Sequence, residues 1–136
     1  MKKLKAFLIC PVRGVDPEIT KKYVDGLEHD GFIVHWPPRD TNQEDETGFN
    51  ICLQNRQAIE ESDCVFVVWD GKSQGCLFDL GMAFAMNKKI YVLNVPPPTE
   101  GKSFQNMMRA WENKTWDDNN FSYQCLFGKR WYGKNT

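Results

Sequence analysis

Two histidines in 136 residues, far apart at His29 and His35, and five cysteines with no C-x-x-C spacing leave this chain without the donor set of a zinc site. An odd cysteine count (Cys10, Cys52, Cys64, Cys76, Cys125), most of it inside apolar segments, also argues against a disulfide framework. Reduced, buried thiols are the expectation, with no metal. Neither sign of charge dominates: 17 basic against 18 acidic side chains give a net charge of -1. No extended surface for a nucleic-acid polymer or a membrane is implied, and a small, locally recognised ligand fits better.

Long apolar runs are missing too. The basic start Met1-Lys2-Lys3-Leu4-Lys5 leads into an apolar stretch that ends at Pro11, too short for a signal or a span. A soluble, cytoplasmic protein is expected. Three common motifs are absent as well. Gly101-Lys102-Ser103 resembles the end of a phosphate-binding P-loop, but the earlier glycine falls at Pro96. No G-x-G-x-x-G follows the first strand, and no G-x-S-x-G elbow occurs. An NTPase, a dinucleotide enzyme and a serine hydrolase are thereby disfavoured.

What is present is a succession of strands and helices. Ala6–Cys10, Phe32–Trp36, Cys64–Trp69 and Ile90–Val95 are apolar runs, the last two continuous, as in a parallel sheet covered on both faces. Asp16-Pro17-Glu18 predicts a helix start, with Ile19, Tyr23, Val24 and Leu27 as its apolar face and Gly31 as its stop. Pro37-Pro38 ends the second strand and opens a polar loop to about Asn50, a candidate lid. A helix from about Ile51 to Glu61 follows. Leu77, Leu80 and Phe84 place another over Cys76–Asn87, and Phe104, Met107, Met108 and Trp111 one over Ser103–Asn113. The expectation is a single α/β domain over residues 1–136, a flavodoxin-like or Rossmann-like parallel sheet of four to five strands with helices on both faces. The aromatic segment 113–136 is too rich in Trp, Tyr and Phe for a disordered tail and should dock on its own or a neighbouring subunit.

Ligands of such sheets bind beyond the carboxyl ends of the strands. There the chain carries Pro11-Val12-Arg13-Gly14 after strand one and Asp70 to Gly75 after strand three. Arg13 offers a planar fork to phosphate oxygens, Ser73 a hydroxyl, and Gly14 and Gly75 close backbone approach. Asp79, expected in the first turn of the following helix, supplies a carboxylate. Trp36, the Pro37-Pro38-Arg39-Asp40 turn and Trp69 edge the space for a base. A carboxylate facing a phosphate pocket across a sugar's length is what cleavage of an N-glycosidic bond requires, by attack on the anomeric carbon.

These residues resemble the nucleoside 2-deoxyribosyltransferase superfamily over about residues 5 to 95, and within it the nucleoside 5′-monophosphate N-glycosidases. The matching elements are Phe7-Leu8-Ile9-Cys10 running into Pro11-Val12-Arg13-Gly14, Ser62-Asp63, and Ser73-x-Gly75-x-x-x-Asp79-Leu80-Gly81-x-Ala83. The resemblance implies that Asp79 stands where the family has a glutamate nucleophile, and that Ser73 and Arg13-Gly14 mark the monophosphate branch. It further implies that Asn55 lies near a family aspartate assisting at the base, and that Phe7 replaces a tyrosine that orients the nucleophile. Asp79 and Asn55 are thus the implied catalytic pair. Arg13, Gly14, Ser73 and Gly75 are assigned to phosphate, and Phe7, Pro11, Trp36, Pro38 and Asp70 to sugar and base. The implied activity is hydrolysis of a nucleoside monophosphate without a cofactor; base exchange and cofactor-free nucleotide sensing are the alternatives. Homodimers are usual in the family, a neighbour completing the pocket.

Overall fold

The computed structural model describes residues 3–117. In chain order the elements are β1 (Lys5–Ile9), α1 (Glu18–His29), β2 (Ile33–His35), α2 (Pro37–Asp40), α3 (Phe49–Glu61), β3 (Cys64–Val68), α4 (Gln74–Ala85), β4 (Lys89–Asn94) and α5 (Phe104–Asp117). The strands form one parallel sheet in the order β2-β1-β3-β4, a flavodoxin-like arrangement with helices on both faces.

Alternation along the strands divides the core in two. Ala6, Leu8, Cys10, Phe66, Val68, Tyr91 and Leu93 meet Tyr23, Val24 and Leu27 of α1. Phe7, Ile9, Val65, Val67, Ile90 and Val92 meet Ile59 of α3, Cys76, Leu80 and Ala83 of α4, and Met108 of α5. Because β3 is apolar on both sides, polarity cannot set its register. The polar group just before it can. Asp63 donates its N–H to the Lys5 carbonyl (2.8 Å), and its Oδ2 accepts the Lys5 N–H (2.8 Å), which pins β3 to β1 at their starts.

Several expectations are corrected. Ile19 points outward, and Thr20 takes its place on the buried face of α1, accepting the Trp36 Nε1–H at 3.0 Å. The segment after β2 is not loop throughout. Pro37 and Pro38 end strand pairing, but their fixed φ also suits a first helical turn, so α2 forms, with Asp40 Oδ2 accepting the Trp36 N–H at 2.8 Å. The loop beyond it is tied down by Asn42 N–H to Gln54 Oε1 (2.9 Å) and by Asp45, whose Oδ2 accepts the Ile51 N–H (2.9 Å) at the start of α3.

The helix α4 starts two residues before its expected position, because Ser73 caps it, its Oγ accepting the Cys76 N–H at 3.3 Å. Asp79 therefore lies in the second turn, outside the strongest influence of the helix dipole. The buried face is Cys76, Asp79, Leu80 and Ala83; Phe84 faces outward and meets the edge of Trp111 at 5.2 Å. Cys10, Cys64 and Cys76 are buried and Cys52 half-buried, none of them in a disulfide. Among the described residues no helix is long and apolar enough to cross a membrane. The expected docking of the aromatic tail concerns residues that, from 118 onward, lie outside the described ones.

Candidate functional site

From β1 the chain turns through α1 to β2 on one side, and from β3 it turns through α4 to β4 on the other. The loops leaving these two neighbouring central strands diverge, which makes the carboxyl edge between β1 and β3 the topological switch point at which ligands of such sheets bind. The first loop is a tight turn, the Val15 N–H reaching the Val12 carbonyl at 3.3 Å, with Gly14 at φ +70° in a position that disfavours any side chain. It leaves Arg13 exposed and without an ion pair among the described residues.

The second loop is built by Asp70. Its Oδ1 accepts the N–H groups of Lys72 (2.9 Å) and Ser73 (2.8 Å), an Asx turn that hands Ser73 to the N-terminus of α4. Partial burial works against the charge of Asp70, but these backbone donors outweigh it and hold the carboxyl below its ordinary range. The exposed Gly75 follows in the first turn of α4.

Asp79 lies on the buried face of α4 and is only 8% exposed. Burial pushes its carboxyl up to about 7, against the opposing effect of a hydrogen bond from the Asn55 side chain of α3. Asn55 is itself buried, and its Oδ1 accepts the hydroxyl of the buried Thr41 at 2.8 Å. Thr41 Oγ1 lies 2.8 Å from His35 Nε2. Three thiols also feel the charge of the carboxyl. Burial first, and the Asp79 charge in addition, push Cys10 and Cys76 up to about 12 and raise Cys52 as well. Neutral thiols are poor nucleophiles, so Asp79 is the group of this cluster that ionises near neutrality.

The remaining sequence candidates are placed as follows. Asp79 on α4 and Asn55 on α3 are brought together by the packing of those two helices. Arg13 and Gly14 lie on the loop after β1, and Ser73 and Gly75 at the start of α4 after the loop from β3. Pro11 is buried in the first of these loops, and Asp70 is exposed on the second. Trp36 and Pro38 follow β2, beside β1; Trp36 is buried with its indole N–H on Thr20, and Pro38 is half-buried in α2. Arg39 is bound to Glu28 (3.1 Å) and Asp40 (2.9 Å), a structural use of that cation. Phe7 has no exposed surface and stacks on the His35 ring, centroids 5.1 Å apart and planes 7° from parallel.

Thr41 and His35 were not visible as site residues from the sequence. In the chain Thr41 is one polar residue in a polar loop, and only the folding of that loop over α3 brings it to Asn55.

A family model described as Nucleoside 2-deoxyribosyltransferase matches residues 9–110 of the chain. No curated protein matches it.

Proposed function

Because the chain belongs to the nucleoside 2-deoxyribosyltransferase family, we propose that it hydrolyses the N-glycosidic bond of a nucleoside 5′-monophosphate, with Asp79 as nucleophile and water as acceptor. The observation that carries this reading is a buried carboxyl, pushed up to about 7 by burial, on the helix that Ser73 caps, with Arg13 on the loop that leaves the neighbouring strand at the same edge of the sheet. In its ionised form Asp79 attacks the anomeric carbon. The bond to the base nitrogen breaks, and its electron pair leaves with the base, which takes up a proton. Water then attacks the same carbon, releasing the sugar phosphate and a proton and restoring the carboxylate.

Arg13 supplies a two-pronged contact to phosphate, and Ser73 with the first N–H groups of α4 supplies neutral donors. An exposed guanidinium at Arg13, without an ion pair among the described residues, suits a dianionic phosphate better than an uncharged 5′-hydroxyl. Trp36, Pro11 and Pro38 border the sugar and base. In this reading the protein is a small-molecule enzyme without cofactor, and a second subunit completes the nucleotide site.

The family's description favours a second reading, in which another nucleobase intercepts the glycosyl intermediate. Chromatography of free base after incubation with ribo- and deoxyribonucleoside monophosphates, with and without an acceptor base and beside Asp79→Ala, separates the two. Release without acceptor that depends on Asp79 is the expected result. Release only with an acceptor establishes base exchange, and no release in either arm overturns the enzymatic reading.

A further inference from the structure

We infer that Thr41 and His35 are positioning residues for Asp79, forming with Asn55 a one-way hydrogen-bond relay that turns the Asn55 amide N–H, and not its carbonyl, toward the carboxyl. The inference deepens the proposed role of Asp79 and is tested apart from it.

An asparagine side chain can be rotated by half a turn with almost no change of shape, which exchanges a donor for an acceptor. Facing an ionised carboxylate the donor is favourable and the acceptor repulsive. Something must choose. Within the described residues no cationic side chain acts on Asp79, and the thiols of Cys10, Cys52 and Cys76 that feel its charge are neutral at physiological pH, so the orientation of Asn55 is the polar control that remains.

Thr41 has one hydroxyl hydrogen and two partners, Asn55 Oδ1 at 2.8 Å and His35 Nε2 at 2.8 Å. If that hydrogen goes to Asn55, the Asn55 carbonyl is held away from Asp79 and His35 must donate its Nε2–H to Thr41. If it goes to His35 instead, Asn55 is free to turn its carbonyl toward Asp79, an arrangement compatible only with a protonated carboxyl. The imidazole is suited to the first role. Its plane is set by stacking on Phe7, and burial lowers its pKa and keeps it neutral in the field of Asp40, Arg39 and Glu61. The direction of donation is therefore His35 to Thr41 to Asn55 to Asp79. Phe7, assigned to the sugar and base, acts here from inside the core.

The test is a carbon-detected NMR titration of the Asp79 carboxyl in the wild type, Thr41→Val and Thr41→Ser, with the His35 ring nitrogens recorded in parallel and no substrate present. The valine variant keeps the shape and removes the relay. Its Asp79 midpoint is expected to rise by about one pH unit, the serine variant should restore the wild-type value, and wild-type His35 should carry its proton on Nε2 while Asp79 is ionised. An unchanged midpoint in folded Thr41→Val, or a proton on Nδ1 of wild-type His35 above the Asp79 midpoint, overturns the relay. Should the valine variant not fold, the wild-type tautomer decides by itself. A relay that holds in a protein releasing no base refutes the proposed function and leaves this inference standing.

Discussion

Asp79 and Glu112 are both buried carboxyls on helices that cover the same face of the sheet, at 8% and 7% exposure, yet they serve opposite ends. Glu112 Oε2 accepts the backbone N–H of Val92 at 2.6 Å, on the open edge of β4, and beside it the Trp111 indole donates to the Lys88 carbonyl at 3.1 Å. An edge strand left with a buried, unpaired N–H would cost about 1–3 kcal/mol, which α5 removes. Asp79 receives no backbone donor among the described residues. One side-chain amide favours its charge, and burial opposes it more strongly. A buried acid that completes the backbone's hydrogen bonding is accounted for by the fold; one that the fold opposes points to chemistry.

The largest test of this contrast is catalytic. Asp79→Asn should lower initial rates of base release by ~1,000-fold or more, whereas Glu112→Gln should leave them within about threefold of the wild type. A comparable loss in both variants would erase the distinction.

Stability should run the other way. The folded-state pKa of Asp79 is raised from 3.8 to about 7, so the folded protein binds more protons than the unfolded chain between those values. The stability this contributes is fully present below the unfolded pKa and is lost as pH rises through about 7. Urea denaturation at pH 8 should therefore show Asp79→Asn more stable than wild type by on the order of 2–4 kcal/mol, an advantage that disappears near pH 4. Glu112→Ala should be less stable by about 1.5–3 kcal/mol.

The smallest effect is the most diagnostic. Base release should climb about tenfold per pH unit below the Asp79 midpoint and level off above it, since the ionised carboxylate is the nucleophile. A profile flat from pH 5 to 8 would mean that Asp79 is not the group being titrated.

Much of the fold was legible because parallel strands announce themselves as apolar runs. Cys64–Val68 is buried at every position, and the apolar run that marked it extends through Trp69. The helix faces were less so. Ile19 and Phe84 fit the apolar periodicity but point outward, because a helix surface offers more apolar positions than one contact can cover, and Thr20 was drawn inward by the Trp36 indole. The short helix after β2 was hidden by prolines whose strand-breaking role is the better known one. In the site, Asp79, Arg13 and Ser73 could be singled out from position alone, and Asn55 was named through the family resemblance, but not its link to Asp79. Their charge states could not be read in this way.

By itself the sequence determined the α/β order, the family and the loops that carry Arg13, Ser73 and Asp79, because these depend on local periodicity and on which residues follow each strand. Only the tertiary structure decided that Asp79 lies in a second helical turn, buried and poised near neutrality, with Asn55, Thr41 and His35 drawn from separate elements behind it. Burial and hydrogen-bond direction are set by what packs together in space, and residues 35, 41, 55 and 79 meet only after the sheet has formed.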